Sequence, residues 1–268
     1  MTGPILESND ITKVFRSGRG KREHVALKNV TSRLWEGETL GIVGESGSGK
    51  TTLSRITIGI EQATSGEIRF AGKPIVSRAE WRALRREVQY VFQDPLNALC
   101  PTMRIGAALA EPLAIHRICP AAERPARVVR MLEMVGLHPD VMRRLPSQLS
   151  GGQRQRVNLA RALMLEPRIL ICDEIVSGLD VSVQAQVLAL LVELQEKLRL
   201  SLVFISHDLR VVRYLCDRVQ VMHLGEVVEE GTTDQVFDAP GHGYTRGLLA
   251  AIPDRNGLTV SDAIRGTI

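Results

Sequence analysis

Apolar residues are arranged along this chain in two patterns. Leu6 to Phe15, Val25 to Leu34 and Thr39 to Val43 read as strands, and Val88 to Phe92 as a short one. Ile169 to Cys172 and Leu202 to Ser206 are continuous apolar runs, the pattern of strands buried on both faces. Val183 to Leu198, between those two runs, has helical spacing, giving a strand–helix–strand unit. About Asp94 to Leu163 is mainly helical, with breaks expected at Pro101, Pro112, Pro120, Pro139 and Pro146. From Glu226 onward the periodicity is weak, and no structure is assigned past Pro253. There is no internal repeat. The pattern predicts an α/β core interrupted by a helical insertion.

With 268 residues, 44% hydrophobic, 24% charged and 4% aromatic, the chain suits one large domain or two tightly joined ones, and disordered, collagen-like and coiled-coil classes drop out. No apolar run reaches the roughly 18 residues of a membrane span, and the first residues lack a signal-peptide layout, so a cytosolic protein is expected. The formal charge of +4 fits a polyanionic ligand or a membrane surface and selects neither. Cys100, Cys119, Cys172 and Cys216 are dispersed and read as reduced packing residues. The basic loop Arg16 to Arg22 reads as a solvated hairpin connection.

The chemistry begins at Gly44-Glu45-Ser46-Gly47-Ser48-Gly49-Lys50-Thr51, a phosphate-binding loop between a predicted strand and a predicted helix. Its glycines let successive N–H groups turn toward phosphate oxygens, and the following helix adds its positive end. Lys50 can reach β- and γ-phosphates, and the Thr51 hydroxyl suits a Mg²⁺ position. Arg168 to Glu174 is an apolar strand ending in two acids. Taken alone it is a strand meeting solvent. Beside a phosphate loop, Asp173 can hold Mg²⁺ through water and Glu174 can polarise an attacking water.

Leu149-Ser150-Gly151-Gly152-Gln153 opens a helix expected over Arg154 to Leu165, with Ser150 as N-cap and the Gly-Gly amides available to an anion. With this string the chain resembles the ATP-binding cassette family, the ATPase subunits of ABC transporters, over about residues 5 to 250. The resemblance implies an α/β P-loop NTPase (RecA-like) core over 5–93 and 164–225, with an antiparallel β subdomain, a helical signature subdomain at 94–163 and a tail at 226–268. ATP and Mg²⁺ are the implied cofactors. Gly44 to Thr52, Ser150 to Gln153, Asp180 of the Ser177-Gly178-Leu179-Asp180 string and a stacking Phe15 would bind nucleotide. Gln93, Glu174 and His207 would act in hydrolysis, and Thr51, Gln93 and Asp173 would serve the metal. In the family the signature string closes over the ATP held by a partner subunit.

Longer strings (Gly41 to Thr52, Val91 to Pro95, Asp180 to Val187 and His242-Gly243-Tyr244-Thr245) resemble the F-type ATPase of dipeptide, oligopeptide and nickel importers. That implies a paralogous ATPase as partner (a homodimer being the alternative), two permeases, an external binding protein acting indirectly, no nucleic acid, and residence at the cytoplasmic face of the inner membrane. Peptide is the default solute, nickel or a metal chelate the second, and a soluble non-transport ABC ATPase the rival class. Ile175 stands where the family has Pro, Gly243 replaces the Pro of His-Pro-Tyr-Thr, and without cysteines after Cys216 no iron–sulfur cluster is expected. Leu96, Leu99, Met103 and Ile105 are expected to form a surface that receives a permease helix.

Overall fold

The computed structural model of the chain describes residues 3–17, 22–94 and 98–252. Most of the basic loop, Leu96 and the tail from Pro253 lie outside the described residues. In chain order the elements are β1 (Leu6–Ser17), β2 (Arg22–Leu34), β3 (Thr39–Val43), α1 (Lys50–Thr57), β4 (Ser65–Phe70), β5 (Lys73–Pro74), α2 (Arg78–Glu87) and β6 (Val88–Val91). There follow α3 (Ile105–Ile115), α4 (Arg124–Met134), α5 (Gly151–Leu163), β7 (Ile169–Asp173), α6 (Val181–Leu198) and β8 (Ser201–Ile205). The last described elements are α7 (Leu209–Leu215), β9 (Arg218–His223), β10 (Glu226–Thr232), α8 (Thr233–Asp238) and α9 (Gly243–Ala250). Two compact units result, one from the residues up to Arg85 with those from Leu200 onward, the other from Arg86–Arg199.

The first unit contains an antiparallel sheet in the order β2-β1-β4-β5. Its inward faces bury Leu6, Ile11, Leu27, Val30 and Leu34. Register shifts along β1 coincide with Asp10 at φ 51° and Asn29 at φ 46°, residues whose short polar side chains tolerate the left-handed region. The same unit orders β10, β9, β3 and β8 side by side. The central strand β3 runs parallel to both β8 and β9, and every residue of β3 and β8 is buried, as continuous apolar runs require. A buried hydrogen bond between Ser8 Oγ and Thr57 Oγ1 (3.0 Å) ties α1 to β1.

In the second unit β6 and β7 pair in parallel, Val88 opposite Ile169 and Val91 opposite Cys172. Helix α5 grips the end of β6, since Asn158 Nδ2 donates to the Phe92 carbonyl (3.1 Å). Several expectations are corrected here. Pro112 lies inside α3 and does not break it. Burial of Ile105, Ala108, Leu109 and Leu113 on one face outweighs the roughly 3 kcal/mol that an interior proline costs. Leu99 and Ile105 are core residues of this unit, 3% and 0% exposed, so they cannot form a docking surface; Leu96 lies outside the described residues. Cys100 is exposed, whereas Cys119, Cys172 and Cys216 are buried, and burial pushes the Cys172 thiol far up. The region after Glu226, left without elements by its weak pattern, forms β10, α8 and α9.

Candidate active site

The expected site residues fall in both units. In the first, the fully buried β3 delivers the chain into the loop Gly44–Gly49, and α1 starts at Lys50 with Gly49 as its N-cap. Glycine is required at both ends of the loop for contact reasons. A Cβ on Gly44 (φ +146°) would lie 2.1 Å from the Met222 carbonyl oxygen, and one on Gly49 (φ +105°) would lie 2.8 Å from that of Ala26. The loop backbone is further tied by Gly225 N–H donating to the Ser48 carbonyl (3.1 Å). Lys50 is 5% exposed, and its ammonium donates to the Gly44 and Glu45 carbonyls, each at 2.8 Å. A buried ammonium must be hydrogen-bonded, and here the loop's own carbonyls supply the partners.

Phe15 and His207 also belong to this unit. Phe15 is 38% exposed on the antiparallel sheet, so packing in a core does not account for it. Lys13 Nζ lies 4.7 Å from its ring centre and pairs with Glu61 at 2.6 Å, which holds the Glu61 carboxyl below its ordinary range. His207 is exposed at the end of the fully buried β8. The turn after it is set by Ser206 Oγ, which accepts Asp208 N–H at 3.0 Å.

In the second unit β7 carries Asp173 at its last position, 4% exposed. The Tyr90 hydroxyl donates to Asp173 Oδ2 at 2.5 Å, a charge-assisted bond that satisfies a buried carboxylate. Glu174 follows at φ 48°, a left-handed conformation that non-glycine residues rarely adopt. Ser177 and Gln93 help to hold it. Ser177 donates to the Glu174 carbonyl through both N–H (3.0 Å) and Oγ (2.8 Å), and Gln93 Nε2 donates to Glu174 Oε2 (2.8 Å). Gln93 and Glu174, chosen separately from the sequence, are therefore direct partners. Ile175 and Val176 anchor the turn in the core, 1% and 4% exposed.

The signature string forms a reciprocal cap. Ser150 Oγ accepts Gln153 N–H (3.3 Å), and Gln153 Oε1 accepts Ser150 N–H (3.1 Å). The helix thus starts at Gly151, three residues earlier than the pattern predicts. A Cβ on Gly152 would fall 2.7 Å from Val183 Cγ1, so this glycine lets the start of α6 approach. Asp180 is exposed as the N-cap of α6.

The sequence profile described as ABC transporter matches residues 27–177. The oligopeptide transport ATP-binding protein OppF of Escherichia coli (strain K12) is 52% identical over 259 residues, covering 93% of this chain and 78% of that protein. The chain belongs to the ABC transporter family. Another relative, the di/tripeptide transport ATP-binding protein DppF of Pseudomonas aeruginosa, is 47% identical over 93% of this chain and 79% of its own length. Among solved structures, cbiO1 from Clostridium perfringens, part of the ABC transporter complex cbiONQ, matches with a TM-score of 0.77 at 33% identity, over 88% of this chain and 92% of that one. A dimeric ATP-binding cassette in a post-hydrolysis state with ADP and Pi matches with a TM-score of 0.76 at 31% identity, over 85% and 98%. This ABC chain is accordingly an ABC-type ATPase with the P-loop α/β fold. Among its described residues no helix is long and apolar enough to cross a membrane.

Two residues with evident bearing on the site went unread in the sequence. Tyr90 carries no signal beyond being a strand tyrosine three residues before Gln93. Ser177 has no local signal beyond its place in the Ser177-Gly178-Leu179-Asp180 string, yet it organises the Glu174 turn.

Proposed function

We propose that this chain is the ATP-hydrolysing subunit of an importer that takes up di- or oligopeptides through partner permeases. The observation that carries the reading is the identity of about half its residues, over 93% of the chain, to peptide-transport ATP-binding proteins. Residues 5–250 form the cassette, with 5–93 and 164–225 as the nucleotide-binding core, 94–163 as the helical signature part and 226–268 as the tail. Gly44 to Thr52 cradle the phosphates, and Phe15 stacks on adenine. On ATP entry Lys50 exchanges its two loop carbonyls for phosphate oxygens, which suits a residue already desolvated and aimed along the loop.

Glu174 accepts a proton from the attacking water, and Gln93, now its hydrogen-bond partner, orients that water. His207 contacts the γ-phosphate. Thr51, Asp173 and Gln93 offer only oxygen donors for a cation, and no cluster of three or more His, Cys, Asp or Glu exists among the described residues. Such a sparse hard-oxygen set fits Mg²⁺, which takes one or two protein ligands with the rest from phosphates and water. When bound, the ion neutralises charge on the β- and γ-phosphates. Ser150 to Gln153 and Asp180 serve the ATP of a second cassette, from a paralogous ATPase, so hydrolysis follows dimerisation. The assembly sits at the cytoplasmic face of the membrane under two permeases, with an external binding protein supplying solute and no nucleic acid involved.

The test is steady-state ATPase of the chain alone and co-assembled with its paralogue and permeases in vesicles, with peptide uptake measured alongside. Turnover that rises on assembly and drives peptide accumulation is expected. Turnover without peptide uptake would refute the peptide assignment.

A further inference from the structure

The string His242-Gly243-Tyr244-Thr245 has no part in the hydrolytic scheme, yet it reaches the phosphate loop. Glu45 N–H donates to the Tyr244 hydroxyl oxygen at 3.1 Å, across 199 residues of sequence. Tyr244 is held through both its ring and its backbone. It stacks on His223 with ring centres 3.9 Å apart and planes 29° apart, and His223 ends β9, the strand beside β3. His242 Nδ1 accepts Tyr244 N–H at 3.1 Å, fixing the start of α9.

The preceding turn is anchored by Glu229 on β10, whose carboxylate accepts Gly241 N–H (2.6 Å) and His242 N–H (3.1 Å). Arg246 closes it by donating to the Pro240 and Gly241 carbonyls at 3.1 and 2.9 Å. A tyrosine gripped in this way presents its oxygen at a defined point. That point is the first peptide after Gly44.

Residue Glu45 is held through both of its flanking peptides, its N–H by Tyr244 and its carbonyl by Lys50 Nζ (2.8 Å) and Ser48 N–H (3.2 Å). Lys50 is the group that must leave for phosphate under the function proposed above, on which this argument rests. We infer that Tyr244 is a positioning residue of the phosphate loop: its hydroxyl keeps the Glu45 peptide in the phosphate-receiving conformation when Lys50 transfers to ATP. The C-terminal helix thereby becomes part of the nucleotide-binding machinery, and by linkage ATP binding tightens the seating of that helix. The residue touches neither ATP nor the reacting atoms.

The test uses the full chain and its Tyr244→Phe variant, which keeps the stacked ring and removes only the hydroxyl. Two readouts are taken: hydrogen exchange of the segment containing the Glu45 amide, and affinity for ATP by titration. Loss of one neutral hydrogen bond predicts Glu45 exchange about fivefold faster and ATP bound about fivefold more weakly, the change falling on KM with kcat kept. Exchange or affinity equal to the parent chain would overturn the inference and leave Tyr244 a packing residue. If Tyr244→Phe folds poorly, His223→Leu, which removes the stacking plane and leaves the hydroxyl, must show the same direction in both readouts or the inference fails. Lys50→Ala is run in parallel. Unchanged ATP affinity in that variant would sink the phosphate-loop reading itself, independently of what Tyr244 does.

Discussion

The phosphate loop and the acid-bearing end of β7 are immobilised by different means. Around the loop the closest approaches are backbone on backbone, with the Lys50 and Tyr244 side chains adding hydrogen bonds. Gly44 and Gly49 lie against the carbonyls of Met222 and Ala26 so closely that no Cβ fits, and Gly225 donates to Ser48. At the acids the fixing groups are mainly side chains, joined by the Ser177 N–H. Tyr90 bonds Asp173, Gln93 and Ser177 bond Glu174, and Glu174 itself sits at positive φ. Main-chain contacts cannot be exchanged without unpacking strands, whereas a side-chain amide can swap one partner for another by rotating a few bonds. The nucleotide-receiving surface is thus built in advance, and the hydrolytic acid is held by contacts that can be released. A motor that must bind first and cleave later benefits from that division.

The strongest challenge to this contrast is Glu174→Gln. It should lower turnover of the assembled transporter by at least about 100-fold, the scale of a lost general base, while ATP still binds. An equal loss of binding, measured by ATP titration, would show that the two regions are not separable. Lys50→Ala is the mirror case. Losing charge-assisted bonds to phosphate should weaken ATP binding on the order of 10- to 100-fold in equilibrium binding. Phe15→Ala should weaken it roughly tenfold, as removal of one base-stacking ring does, with no change in thermal midpoint because Phe15 is exposed. An unchanged affinity would return Phe15 to the sheet surface.

The smallest expected change sharpens the loop side. Gly243 is the first residue of α9, a Cβ there meets only Arg246 Nη2 at 3.8 Å, and His242 before it is already extended at φ −90°, ψ 140°. Gly243→Pro should therefore stabilise the chain by about 0.5–1 kcal/mol, read as a rise of a few degrees or less in thermal midpoint. A fall would mean that the proline ring disturbs the Tyr244 seat. The anchoring carboxylate of this turn adds a pH signature. Burial alone would raise Glu229, but its hydrogen bonds, those from Gly241 and His242 among them, outweigh that and hold its carboxyl below the ordinary range. A depressed carboxyl favours the folded turn above its unfolded pKa, and the benefit is lost as pH falls through the folded value. The protection of the Gly241 and His242 amides, exchange being taken relative to its intrinsic rate at each pH, should accordingly fall on acidification through and below the ordinary carboxyl range.

Much of the fold was legible because its central strands are buried on both faces. Ile169–Cys172 and Leu202–Ile205 are continuous apolar runs, and these strands and Thr39–Val43 are fully buried. Of the elements that the pattern does not predict, β4, α2 and β10 bury little, whereas β9 is buried from Val219 to Met222 and is masked by the polar Gln220 in its middle. Only Ile68 of β4 and Leu84 of α2 are buried, and no residue of β10 is fully buried. A strand or helix with one inward residue leaves almost no periodic trace. Pro112 misled because the proline rule is local, while the packing of α3 that overrides it is not.

What depends on neighbouring residues was written in the sequence: the glycine spacing of Gly44–Gly49, the N-cap Ser150, the apolar run that ends in Asp173 and Glu174, and through these the family. Only the tertiary structure decided which distant groups meet. Tyr90 finds Asp173 across 83 residues and Tyr244 finds Glu45 across 199. It also decided that Leu99 and Ile105 face inward. The physical reason is range. Backbone geometry and capping act over a few residues and are written in consecutive letters, whereas a hydroxyl meets its partner only after the sheets have packed and fixed where each strand ends.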